Sequence, residues 1–215
     1  MELHRRHRAG KLIQQLQRFE VDQTTEEQVK KLANEYGGKY FPPARATQNE
    51  LAQPAHYDIE VSSPHVTIAN STYALPRSRS WTMVAVIDVG NGKLTTLLLE
   101  QVVNRSDGFV LDADVSLLHS SKYDGLHDLG PYNVHEGATG LPGEAFGVSL
   151  SPEATEEERQ KAFDFNLSCL TQLRECRHVC EILPNAWRDL APEHRLRYTD
   201  GREVVTDSEC HERMK

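Results

Sequence analysis

Residues 81–118 read WTMVAVIDVGNGKLTTLLLEQVVNRSDGFVLDADVSLL, and this stretch decides the fold. Three runs rich in Val, Leu, Ile and Thr, Trp81 to Val89, Lys93 to Val103 and Phe109 to Leu118, have the composition and length of strands. Gly90-Asn91-Gly92 and Asp107-Gly108 separate them, and Asn-Gly and Asp-Gly supply the positive φ that tight hairpin turns require. The spacing therefore predicts an antiparallel three-stranded meander. Along its last strand Phe109, Leu111, Ala113, Val115 and Leu117 face one way, while Asp112, Asp114 and Ser116 face the other. One face should be buried and the other wet.

Downstream, His119 opens a loop of about 25 residues, much longer than the usual connection of about 4–6. A strand is expected at Ala145 to Leu150. Ser151-Pro152 leads to Thr155, with Glu158 three residues on, which is the pattern of a capping box. Glu156, Glu157 and Glu158 suit the positive end of a helix dipole. Apolar residues at Phe163, Leu167, Leu170, Leu173 and Cys180 extend the predicted helix over 155–183, as far as Pro184. Laid across the meander, such a helix would bury both apolar surfaces. Beyond Trp187 the chain turns polar, and 196–206 around Asp200-Gly201 has the pattern of a small hairpin.

Upstream, one helix is expected near residues 3–20 and a second from Thr25, whose hydroxyl can cap it while Gln28 reaches back. Gly37-Gly38 ends the second helix. Phe41-Pro42-Pro43 to Pro54 has little periodicity and reads as a linker or surface loop. Tyr57, Ile59 and Val61 alternate with polar residues as in a half-buried strand, and Pro64 places that strand at an edge. The predicted fold class is α+β, an antiparallel β-meander sheet covered by a long C-terminal helix, with an N-terminal helical arm. The organisation is an arm over 1–40, a linker over 41–56, a core domain over 57–190 and a polar tail over 191–215.

The chain has 215 residues, 38% hydrophobic and 26% charged, enough to bury a real core. A formal charge of -8 without a domain-wide basic face argues against nucleic acid as the main partner. The exception is His4-Arg5-Arg6-His7-Arg8 with Lys11, followed by Leu12, Ile13, Leu16 and Phe19 at helical spacing. That pattern suits a helix packed on the domain, with peripheral contact to an anionic membrane surface as the alternative. No apolar run approaches the roughly 18–20 residues of a membrane span. The expected compartment is cytoplasmic. Asn70-Ser71-Thr72, Asn104-Arg105-Ser106 and Asn166-Leu167-Ser168 fit the glycosylation sequon and keep a secretory route as the alternative. Of the four cysteines, Cys169, Cys176 and Cys180 share one face of the predicted helix. A rise of about 1.5 Å per residue would hold Cys169 and Cys176 about 10 Å apart, so buried free thiols are expected.

Chemistry-bearing residues concentrate in the central loop, where His119, His127, Asp128, His135 and Glu136 are the right ligand types for zinc or a similar divalent metal. Their spacing lacks the i,i+4 pair of histidines on one helical face, so solvated loop side chains are the plainer reading. Gly137, Gly140 and Gly143 beside Pro142 lack the Lys-Ser/Thr of a phosphate loop and read as a turn. Asp112 and Asp114 project about 7 Å apart from one strand face, within the separations used in glycoside hydrolysis, although alternation alone produces the same pattern.

Leu98-Leu99-Glu100-Gln101, Asp107-Gly108-Phe109, Gly140-Leu141-Pro142, Phe165-Asn166-Leu167-Ser168-Cys169-Leu170-Thr171 and Leu183-Pro184-Asn185-Ala186-Trp187 together resemble proteins of filamentous fungi that have no assigned activity. The resemblance spans roughly the central half of the chain and implies a source, with no catalytic residue, cofactor or activity to carry over. With no catalytic signature, the expected function is a non-catalytic binding or interaction protein that needs no cofactor and meets a protein partner or a small molecule. The alternatives are a small-molecule pocket between the sheet and the long helix, closed by the 119–143 loop, and a metal-dependent enzyme using the loop histidines.

Overall fold

The structure, a computed structural model, describes residues 2–44, 54–63, 80–105, 109–118, 130–136, 143–169 and 176–189. Its frame is a seven-stranded sheet of β1 (Lys39–Phe41), β2 (Ala55–Ser62), β3 (Ser80–Gly90), β4 (Lys93–Asn104), β5 (Val110–Leu118), β6 (Tyr132–Glu136) and β7 (Gly143–Leu150), in the order β1-β2-β3-β4-β5-β7-β6. All neighbours are antiparallel except β5 and β7, which run parallel. The expected meander is present as β3-β4-β5. Its first turn is the two-residue Asn91-Gly92, with φ of 52° and 73°. Both positive values match the right-handed twist of the flanking strands. The Asp107-Gly108 turn lies outside the described residues. Opposite β3, β4 carries one extra residue, Thr95, so that Asp88 pairs with Thr96 and Val89 with Leu94; this is a β-bulge.

Helices α1 (Glu2–Leu16) and α2 (Glu26–Tyr36) pack on one face of the sheet. Thr25 and Gln28 form the expected capping box, and Gly37 caps the other end in the left-handed conformation. The apolar stripe Ala9, Leu12, Ile13 and Leu16 of α1 is buried in one cluster with Ile59, Met83, Ile87, Leu97 and Leu99. Two arginines of the basic run serve the same packing. Arg5 donates to Ser62 O at 2.7 Å. Arg8 donates to Tyr36 O at 2.8 Å, at the negative end of α2, and lies over the Tyr36 ring. The apolar stripe of α1 is thus part of the domain's own core.

The long helix expected over 155–183 is not there. α3 runs only from Glu156 to Ala162, opened by the Thr155/Glu158 capping box. Asn166 explains the interruption: its Oδ1 accepts from Ser168 N at 3.1 Å and from Ser168 Oγ at 2.6 Å, and its Nδ2 donates to Glu181 O at 2.9 Å. An Asn side chain that satisfies nearby backbone groups competes with helical hydrogen bonding. The chain continues through a 3-10 turn at Leu167–Cys169, a second at Val179–Glu181 and the single-turn helix α4 (Pro184–Trp187). Phe163, Val179, Ile182, Leu183 and Trp187 still reach the core. A second correction concerns the thiols. Cys176 and Cys180 are disulfide-bonded rather than free, and no described cysteine is free. Because α3 ends at Ala162, the helical rise of about 1.5 Å per residue sets no spacing for the cysteines beyond it.

Candidate functional site

β6 occupies residues that the sequence assigns to a long loop, and it places His135 and Glu136 on an edge strand rather than in a connection. His119, His127 and Asp128 lie outside the described residues. Of the five candidate ligands, His135 is the one whose side chain lies within the described residues. Among the described residues no group of three or more His, Cys, Asp or Glu is placed to hold a metal.

His135 joins instead the face of the sheet that α1 and α2 do not cover. Strand register puts Val84, Glu100, Asp114, Gly147 and His135 in one row across β3, β4, β5, β7 and β6. A neighbouring row carries Val86, Leu98, Ser116, Ser149 and Asn133, and another carries Thr82, Val102, Asp112 and Ala145. Backbones two strands apart are separated by roughly 9.6 Å, yet the His135 ring and the Asp114 carboxylate approach each other. Gly147, lying between them, has no side chain. A Cβ built there would lie 2.7 Å from Asp114 Oδ2 and 2.9 Å from His135 Nε2. An isolated Gly inside a strand pattern is the sequence signal of such an approach.

This face is less wet than alternation suggests. Thr82, Val84, Val86, Leu98, Glu100, Val102, Asp112 and Asp114 are all half-buried, and Ser116 and Ser149 are buried. The burial has an electrostatic consequence. Desolvation, followed by the charges of Glu100 and Asp114 and a hydrogen bond with Glu100, raises the Asp112 carboxyl to about 7. Two carboxyl groups in hydrogen-bond contact need one proton between them. Desolvation likewise raises Asp114 to about 6, with His135 opposing the rise and Glu100 adding to it. The remaining buried oxygen of Asp112, Oδ1, has no hydrogen-bond partner among the described residues. Beside the carboxyls, His135 Nε2 is hydrogen-bonded to Ser149 Oγ at 3.1 Å, and Ser149 Oγ to Ser116 Oγ at 3.0 Å.

Chemically, this face can hold a proton and offer acceptors beside an apolar strip. Nucleophilic attack by Ser149 is poorly served. The residue is only 5% exposed, and β7 is paired on both sides, so its N–H groups are taken by the sheet rather than free to stabilise an oxyanion. A polar groove of about 530 Å³ lies elsewhere, between α1 and the stretch from α3 to Leu167, with Gln14, Gln17, Lys161 and Asp164 in its lining. It lies between helices rather than under a helix on the sheet, where the sequence placed a pocket. The described residues at the interface of sheet and helices form one buried apolar cluster.

Neither family models, curated proteins nor solved structures contain a match to this chain.

Proposed function

We propose that the chain is a non-catalytic binding protein whose recognition surface is the face of β3-β4-β5-β7-β6 opposite α1 and α2. The ligand class is a small amphiphilic molecule with an apolar body and a cationic or hydrogen-bond-donating end. The observation that carries this reading is the cross-sheet row in which Val84 adjoins Glu100, Asp114 and His135 over the side-chain-free Gly147. Apolar surface with a few convergent polar groups of shifted pKa is the usual make-up of a ligand site. Val86, Leu98 and Val102 would take the apolar body, and Glu100, Asp112 and Asp114 the donor end.

The test uses 2-phenylethylamine and, as its anionic counterpart, phenylacetate, titrated into isotope-labelled protein at pH 8 while backbone amides are followed by NMR. Saturable shifts confined to β4, β5 and β7 with the amine, weakened by Glu100→Gln and absent with phenylacetate, are the expected result. Shifts that map to the α1 groove, or amine and acid behaving alike, would refute the assignment. Lowering the pH to 6 should weaken amine binding, because Asp112 and part of Asp114 become protonated and lose their charge.

A further inference from the structure

Away from the sheet face, the helices enclose a second concave surface. The groove between α1 and the stretch from α3 to Leu167 holds about 530 Å³, within the range of sites that take a small ligand. Its walls are two helical stripes. Gly10, Gln14 and Gln17 fall three or four residues apart along α1 and just past its end, and Glu157, Gln160, Lys161 and Asp164 do the same along α3. Gln15 turns the other way, towards Glu35. Phe163 and Phe165 also line the groove but are 3% and 8% exposed, so neither offers an open ring face for a sugar to stack on.

The amides on these walls keep hydrogen-bonding capacity to spare. The side chains of Gln14 and Gln17 bond to no other described residue. Gln160 Nε2 donates to Glu156 Oε1 at 3.0 Å, which leaves its Oε1 to accept. A primary amide offers a donor and an acceptor side by side, the pairing that an extended peptide backbone needs at each residue. The charges add a preference. Lys161 Nζ lies 3.5 Å from Glu157 Oε1 and 3.6 Å from Asp189 Oδ2, so its charge is already matched. Asp164 accepts from Asn185 Nδ2 at 2.5 Å and faces no cation among the described residues. The surplus is negative and favours a cationic guest. From Gly10 to Gln17 the helix rises about 10.5 Å, the span of about three extended residues.

We propose that this groove binds a short, extended, basic segment of a partner protein, its backbone held by Gln14, Gln17 and Gln160 and a Lys or Arg side chain by Asp164. The site lies on the α1 side of the sheet and does not depend on the recognition surface proposed above. The experiment titrates acetyl-Leu-Arg-Leu-amide into the full chain, isotope-labelled, and follows backbone and side-chain amides by NMR. Two controls run beside it, acetyl-Leu-Glu-Leu-amide and the Arg peptide with an N-methylated backbone. Saturable shifts that include the side-chain amides of Gln14, Gln17 and Gln160 are expected with the Arg peptide, and neither control should produce them. Gln14→Ala with Gln17→Ala should weaken binding on the order of tenfold, for two lost hydrogen bonds. Gly10→Leu should block it, because a Cβ at Gly10 already lies 3.4 Å from Leu167 Cδ1 and the rest of the side chain must enter the groove. Both variants introduce good helix formers and should melt as the parent does. No shift at millimolar Arg peptide, shifts confined to the sheet face, equal binding of either control, or unchanged affinity in the folded variants would each overturn the proposal.

Discussion

Replacing Gly147 by Ala puts a methyl group where the His135 ring and the Asp114 carboxylate come together, within 3 Å of both. The backbone there is not in the left-handed region, so the cost comes from side chains alone. His135 must swing away, which gives up its bond to Ser149 Oγ, about 1 kcal/mol. Inserting a methyl into a packed place costs a further 1–3 kcal/mol or so. The lower entropy of the unfolded chain returns about 0.5–1 kcal/mol. The net expectation is a loss of about 2 kcal/mol, or roughly 4–8 °C in melting temperature for a chain of this size. Urea denaturation with an unchanged m-value measures it, and the His135 ring signals in NMR report the displacement. The decisive control is His135→Ala: it removes two of the three nearest atoms around the new methyl and leaves Asp114 Oδ2, so Gly147→Ala should then cost less than about 1 kcal/mol. Strict additivity of the two substitutions would refute the reasoning, because two residues sharing one space must couple.

Asp112 makes stability depend on pH with a definite sign. Its folded value is raised from 3.8 to about 7, so between those values the folded state binds more protons than the unfolded one. Stability should therefore fall as pH rises from about 4 to 7, and the loss should be complete above that. Asp112→Asn, which stays neutral, should flatten this slope and gain roughly 1–2 kcal/mol at pH 8, the full shift being discounted because water reaches the cluster. Urea melts from pH 4 to 8 test it; a slope as steep in the variant as in the parent would count against Asp112 as its source. Leu12→Ala should cost about 3 kcal/mol, since Leu12 is fully buried in the cluster shared with the sheet. An unchanged urea midpoint would instead mark α1 as an appendage.

The parts of the fold written locally are legible in the sequence. Asn91-Gly92 sets a turn through its own backbone preferences, Thr25 with Gln28 and Thr155 with Glu158 set helix starts, and alternation along β5 assigns its two faces. The long helix is not legible, because apolar spacing at Phe163, Leu167 and Cys180 serves any chain that dips repeatedly into a core. Whether it dips as a helix depends on Asn166 bonding its neighbours and on Glu144, distant in sequence, capturing Val179. Alternating carboxylates along β5 make the face opposite α1 and α2 look simply wet. β3 and β4 carry the contrary signal: apolar residues on both faces, at Met83 to Ile87 and Leu97 to Leu99, mark a sheet not freely solvated on either side.

Sequence by itself determined the class, an α+β chain with a meander, and singled out Asp112, Asp114 and His135 as separate chemical candidates. Tertiary structure alone decided that they meet. Asp114 and His135 come together only because β7 inserts between β5 and β6 with Gly147 in register with both. Strand order is set by long-range pairing, which local residue preferences do not encode. The raised pKa values of the carboxyls come from burial and mutual repulsion, and both are properties of that assembled face rather than of any segment of the chain.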